Sequence, residues 1–279
     1  MSKNFKVGID YGGTKIEGIL MDNEGNEILR KRSTYEKNYK SGIQTVSSLV
    51  EEFDKHTGTI NTVGVGIPGS SSKETGLIKN ANSIWLNDKP FKQDLENTLG
   101  RDIRLMNDAN CFALSESIDG SGRGYDSVWG IIIGSGFGGS FVYKNQVIEG
   151  VNQVAGDWGH QPLPYPNEEE QEVGLICEVG NCHRPLCAEQ FISGLGFTRL
   201  FNLKYGTNFR TREIVALEAN GDERAKKEFD LYEDRFARLI AIMIGIVDPD
   251  VIILGGGMSN IGRIYENIPK LLPKYTFSD

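Results

Sequence analysis

The sequence predicts an α/β protein made of two like-folded halves with a nucleotide held between them. Three runs of apolar β-formers each empty into glycines: Phe5–Ile9 into Asp10-Tyr11-Gly12-Gly13-Thr14-Lys15, Val128–Ile133 into Gly134–Gly139, and Val251–Leu254 into Gly255-Gly256-Gly257. Strand–glycine hairpin–strand recurs near Asp10 and near Gly134, the trace that a duplicated half leaves. A strand ending in glycines bends sharply and brings bare backbone N–H groups against a ligand. Three such elements suit a polyphosphate gripped from several sides.

In chain order, Lys6–Asp10, Ile16–Asp22 and Glu27–Ser33 alternate as strands, with Asn23-Glu24-Gly25-Asn26 as a turn. Gly42–His56 carries Ile43, Val46, Leu49, Val50 and Phe53 at helical spacing. Val63–Ile67 is a strand stopped by Pro68-Gly69, Phe91–Leu99 a helix, Ile103–Met106 a strand and Ala109–Ile118 a helix. A second strand set runs from Ser127 to Ile148, and Asp157–Cys187 is a loop-rich insert whose acidic run, Glu168–Glu172, reads as a solvated linker. Helices follow over Gly194–Tyr205, Thr211–Ala219 and Asp222–Val247, then a strand over Val251–Leu254 and a helix over Asn260–Leu272. The domains are expected at 1–110 and 111–279, the second holding the insert at 157–189.

The 279 residues are 39% hydrophobic and 24% charged, enough to bury a sizeable core. A net charge of −8 argues against nucleic acid or an anionic membrane as partner. It leaves room for a nucleotide, whose phosphates backbone amides and a divalent cation can hold. No stretch approaches the ~20 apolar residues of a membrane span. Met1-Ser2-Lys3-Asn4 leads at once into the first strand, so no signal peptide and a cytoplasmic location are expected.

Asp10 stands where it can address a phosphate-bound Mg²⁺ through water, with Thr14 adding a hydroxyl; the alternative is an ordinary tight turn. The Walker pattern Gly-x4-Gly-Lys-Ser/Thr is absent, and Gly134, Gly136 and Gly138 enter a strand, not a Rossmann helix. Asn107-Asp108-Ala109-Asn110 falls between a strand and a helix. Asp108 there either accepts a hydroxyl proton as an alcohol attacks a γ-phosphate or caps the helix. Of four cysteines, Cys177, Cys182 and Cys187 fall within eleven residues; with His160 they make the donor set of a closed structural Zn²⁺ site. A metal there would fix His160 and Glu189 as polyol-binding groups. The loops Gly66–Ser70, with Gly69, and Asn80–Trp85, with Asn82, are of a kind that recognises hydroxyls, or are plain turns.

Together these segments resemble the ROK family of sugar kinases and regulators, within the actin-like, hexokinase-type (ribonuclease H-like) ATPases. The resemblance covers nearly the whole chain. It implies that Asp10–Lys15 and Gly134–Gly139, with Ser135, bind ATP phosphates and Mg²⁺, that Val247–Gly257 serves the adenosine side, and that Asp108 is the general base. It further implies sugar contacts from Asn107, Asp157, His160 and Glu189, a structural zinc, and a homodimer. The segments Gly66–Ser70, Lys79–Asn87, Asn107–Glu116 and above all Trp158–Pro164 point to the fructokinase branch, hence to transfer onto the 6-hydroxyl of D-fructose, mannose being a further substrate. An N-acetylglucosamine or glucose kinase is the alternative. A sugar-responsive repressor is remote, because only five residues precede Lys6 and leave no room for a DNA-binding helix-turn-helix.

Three departures from the family pattern stand out. Asp157 replaces a glutamate. The cysteine spacing is Cys177-x4-Cys182-x4-Cys187, with Gly180 where the first cysteine is expected, so Cys177 must reach the metal through a longer loop. The chain stops at Asp279, short of the usual end, so a closing helix is expected to be absent.

Overall fold

The computed structural model describes residues 5–179 and 182–277. The chain divides into two compact units: one takes in residues up to Cys111 plus Gly150–Val154, the other Phe112–Glu149 plus the rest from Ala155.

In unit one, β1 (Lys6–Tyr11), β2 (Lys15–Met21) and β3 (Glu27–Thr34) form an antiparallel meander. Helix α1 (Tyr39–Thr57) then returns the chain to β4 (Thr62–Ile67), which lies parallel to β1. The short pair β5 (Ser70–Ser71) and β6 (Ile78–Lys79), helix α2 (Phe91–Leu99) and the parallel strand β7 (Arg104–Asn107) complete it, in sheet order β3-β2-β1-β4-β7. Helix α1 forms where expected because Asn38 caps it by accepting from Ser41 N–H, and Gly58 ends it in a left-handed conformation. Its stripe of Ile43, Val46, Leu49, Val50 and Phe53 is buried against Val7, Ile9 and Leu20 of the sheet.

Helix α3 (Asp108–Ile118) leads into unit two, where β8 (Ser127–Ile133), β9 (Phe137–Tyr143) and β10 (Gln146–Val147) repeat the meander. The insert holds α4 (Glu168–Glu172) and ends at α5 (Glu189–Ile192). Helices α6 (Gly194–Tyr205), α7 (Thr211–Ala219) and α8 (Glu223–Val247) precede β11 (Val251–Gly255) and α9 (Gly262–Leu271). Strand β11 pairs parallel to β8, giving the order β10-β9-β8-β11. This is the order β3-β2-β1-β4 again, so the coarse repeat in the sequence is a repeat of topology. Among the described residues no helix is long and apolar enough to cross a membrane.

The acidic run corrects one expectation. It is the helix α4, closed by a capping box between Asn167 and Glu170. Glu170 is 1% exposed and bonds Arg235 Nε and Arg238 Nη2, each at 2.7 Å. Arg238 also donates to the carbonyls of Pro164 and Tyr165, pinning the insert to α8. Only the other three acids of the run face water; composition alone hides the one inward residue among four glutamates. Removing Glu170 leaves the buried Arg235 guanidinium without its carboxylate and takes one of two from Arg238, which keeps Asp234 at 3.1 Å. Glu170→Ala is therefore expected to lower stability by about 3–5 kcal/mol, whereas Glu172→Ala stays within about 0.5 kcal/mol. Parallel urea melts check both.

Candidate functional site

In unit one the chemistry collects at the carboxyl ends of three neighbouring parallel strands. Asp10 pairs in register with Gly66, and Ile67 with Asn107, so Asp10 and Asp108 lie either side of β4. Glycine at 66 leaves open the ground between them: an added Cβ would lie 3.4 Å from Cys111 Sγ and 3.9 Å from Asp108 Cα. Asp108 is exposed at the surface, yet the protein crowded around its carboxyl thins the water there and raises its proton affinity above the ordinary aspartate value. The Ala109 N–H, donating at 2.8 Å, opposes this, and the charge of Asp10 adds to it. Desolvation likewise raises Asp10, with Glu17 adding and Arg32 opposing. The same surroundings push the Cys111 thiol up to about 11, which keeps it protonated and unreactive.

Capping of α3 falls to Asn107, not Asp108. Its Oδ1 accepts from Asn110 N–H at 3.2 Å, while its Nδ2 donates to the Gly69 carbonyl at 3.0 Å. Gly69 has φ +81°, and a Cβ there would come within 2.5 Å of Lys79 O, so no other residue fits. The first glycine turn closes through Gly12 N–H on Lys15 O at 3.0 Å and leaves Gly13, Thr14 and Lys15 exposed. Asn82 is exposed on its own loop.

In unit two the other two glycine turns adjoin. Gly256, at φ +83°, has no room for a Cβ, which would fall 2.6 Å from the Ile133 carbonyl carbon and 3.0 Å from Gly134 N. The β8–β9 turn closes through Gly134 N–H on Gly136 O at 2.9 Å, and Gly134 O accepts from Gly194 N–H at 2.8 Å. Ser135, Gly256 and Gly257 are exposed, while Gly136, Gly138 and Gly255 are half-buried. Buried Glu189, at the head of α5, reaches this turn too, its Oε2 accepting from Phe137 N–H at 2.8 Å. Desolvation pushes its carboxyl up to about 7; the Phe137 and Ser193 hydrogen bonds oppose the rise, and the charge of Asp157 adds to it.

Asp157 is exposed and precedes a single 3₁₀ turn, Trp158–His160. His160 Nδ1 lies 3.5 Å from Cys187 Sγ and 3.7 Å from Cys177 Sγ, and Cys182 Sγ lies 3.7 Å from Cys187 Sγ. All four donor atoms fall within 4.8 Å of one another. Zinc–sulfur bonds of about 2.3 Å in a tetrahedron require donor separations of about 3.8 Å. The cluster is thus shaped for a tetrahedral metal, and Cys177 does reach it despite the altered spacing. Gly180 lies outside the described residues. Two isolated bridges, Pro162 with Cys187 and Ile176 with Pro185, draw the loop together.

A profile of the ROK family matches residues 6–279. The chain belongs to the ROK family. It is 36% identical over 275 residues to an N-acetyl-D-glucosamine kinase of Vibrio cholerae, covering 97% of this chain and 90% of that protein. An N-acetyl-D-glucosamine kinase of Haemophilus influenzae is 37% identical over 271 residues, covering 96% and 89%. The crystal structure of a ROK hexokinase from Thermus thermophilus superposes with a TM-score of 0.84 at 25% identity, over 97% of this chain and 88% of that one. The actin-like, hexokinase-type fold is thereby shown.

The relatives overturn the expectation of fructose, for these full-length relatives are N-acetyl-D-glucosamine kinases. The structure explains the misreading. Trp158 is buried, its ring 5.7 Å from Trp129 and 5.0 Å from Phe137 between centroids. Leu163 is buried, and the Pro164 carbonyl serves Arg238. Of the residues that pointed to a fructokinase, Trp158, Leu163 and Pro164 pack the insert.

Sequence reasoning missed the seating of α3, which packs Phe112 on Gly255 and Ala113 on Gly130. The available signal was Gly130 inside the apolar strand β8 and Gly255 at the end of β11, marks of close backbone approach.

The raised proton affinity of Asp108 fixes the sign of a pH effect. Its ionised form is disfavoured in the folded state, so the cost appears as pH rises through the unfolded-state value and is complete above the folded one. Asp108→Asn is expected to melt higher than the parent at neutral pH, with the gain vanishing below about pH 4. Calorimetry across that range reads the difference; an equal melting temperature at neutral pH contradicts it.

Proposed function

We propose that this chain is an ATP-dependent N-acetyl-D-glucosamine kinase that phosphorylates the sugar's 6-hydroxyl. The observation that carries the reading is identity of 36–37% with such enzymes along nearly the whole chain. The site residues supply the parts that phosphoryl transfer needs. Asp108, freed from capping and raised in proton affinity, takes the hydroxyl proton as the oxygen attacks the γ-phosphorus. The turns at Gly12–Lys15, Gly134–Gly138 and Gly255–Gly257 offer backbone N–H groups to the nucleotide, and Asp10 would hold its Mg²⁺. Mg²⁺, when bound, offsets negative charge on the transferred group. Asn82, Asn107, Asp157, His160 and Glu189 orient the sugar, and Gly69 sets the loop beside it. Catalysis on this reading is positioning plus charge stabilisation.

A coupled assay across N-acetylglucosamine, glucose, mannose and fructose tests it. The highest kcat/KM is expected with N-acetylglucosamine, and Asp108→Asn should lower kcat by about two to four orders of magnitude. Preference for another hexose, or a variant that retains most of its turnover, refutes the corresponding part.

His160, Cys177, Cys182 and Cys187 are further proposed to hold a structural Zn²⁺, supported by the donor chemistry and spacing. Zinc, when bound, closes the insert and keeps the thiols deprotonated. Burial, with the neighbouring thiols adding to it, raises the proton affinity of Cys177 and Cys187, so zinc binding must release protons and weaken as pH falls. Elemental analysis should give about one equivalent per chain. Cys182→Ser should lose metal and weaken sugar binding together; sugar affinity unchanged in metal-free protein contradicts the role.

A further inference from the structure

Beneath the first glycine turn, unit one buries an aromatic cluster with more polar atoms than packing requires. Tyr11 ends β1 wholly buried, and its hydroxyl accepts from Trp85 Nε1 at 3.1 Å. Room for that hydroxyl exists only because position 42 is glycine, since a Cβ there would lie 2.0 Å from the oxygen. The Tyr35 ring meets both partners edge-on, with centroids 5.4 Å from Tyr11 and 6.1 Å from Trp85. Its own hydroxyl donates to the Gly12 carbonyl at 2.9 Å. Phe91 closes the cluster, 5.3 Å from Tyr11. Ser83, also buried, lies against Gly13, where a Cβ would come within 3.5 Å of its hydroxyl. The Asn80–Asn87 loop and the Tyr11–Lys15 turn therefore share one set of contacts.

Phenylalanine would fill the places of Tyr11 and Tyr35 without the cost of burying a hydroxyl. The hydroxyls instead fasten two backbone segments: Tyr35 holds the carbonyl of Gly12, and Trp85 carries its own loop to Tyr11. We infer that Tyr35, Tyr11 and Trp85 are positioning residues that tie the sugar-side loop to the phosphate-side turn, so that ordering either one orders the other. Sugar and nucleotide then each bind more tightly in the presence of the other, and by the same factor, as linkage demands. The inference rests on the kinase reading, which assigns a ligand to each loop.

Titration calorimetry with N-acetylglucosamine, with and without a non-hydrolysable ATP analogue plus Mg²⁺, reads the coupling directly. The parent is expected to show reciprocal tightening. Tyr35→Phe keeps the ring and removes only the hydroxyl. It should raise the KM for ATP about fivefold, the worth of one net hydrogen bond, with a smaller change in kcat. It should also bring the coupling factor toward one, as should Trp85→Phe. The double variant should lose no more coupling than the worse single one, because both act on one path. Melting temperatures close to the parent's show that these variants fold. Independent binding in the parent, or coupling unchanged in both folded variants, overturns the network while leaving the kinase intact. Absence of turnover with every hexose overturns the kinase reading itself.

Discussion

Strand ends that come too close for a side chain underlie the arrangement of both units. At the carboxyl end of β8, the carbonyl carbon of Ile133 and the amide of Gly134 lie within 3.0 Å of where a Cβ on Gly256 would stand. Near the end of β4, Gly69 meets Lys79 and Ala81 at similar range. Both glycines take positive φ, which other residues adopt only with strain. The approach is what sets bare N–H groups of different turns side by side, and parallel pairing is what brings the turns to one end of each sheet. Such ends are where open α/β sheets place their ligands.

Around that scaffold the carboxylates divide by environment. Asp10 and Asp108, at strand ends either side of β4, reach the surface but are both raised in proton affinity by partial loss of water, and the charge of the first adds to the rise of the second. Glu189 is raised by burial up to about 7, with the charge of Asp157 in unit two adding to the rise. By contrast Glu170, buried just as deeply, is held below the ordinary value: two guanidinium groups outweigh desolvation. Carboxyls kept hard to ionise without a cationic partner are poised to accept protons or meet a cation. Carboxyls fully paired with arginine are committed to structure.

Much of the fold was legible because local signals and tertiary packing agree. Helices α2, α6 and α7 begin and end where their apolar periodicity and flanking residues place them. The same holds for α1, where cap and stripe coincide, apart from an added first turn. The expected final helix from Asn260 begins two residues late, since Gly257–Asn260 is a 3₁₀ turn. Of the site, the glycine turns, the donor set of the insert and the position of Asp108 were readable from residue type and spacing. What joins them was not. The Asn107 cap, the Glu189 bond to Phe137 and the Glu170 ion pair link residues whose partners are fixed by tertiary contact, on which local sequence is silent.

The failed expectation of fructose has the same origin. Trp158, Leu163 and Pro164 stand within a few residues of Asp157 and His160, and that proximity lends them an air of specificity. Proximity along a chain that turns sharply is a poor guide to what faces a ligand. The Trp158–His160 turn sends Trp158 into the core against Trp129 and Phe137 while Asp157 stays in solvent and His160 Nδ1 joins the thiols. A side chain so enclosed shapes the insert's seat by its volume. Discrimination between hexoses depends on differences of a few hydrogen bonds at exposed polar groups. On the proposed reading Asp157 is one such group, its reach one methylene less than a glutamate's.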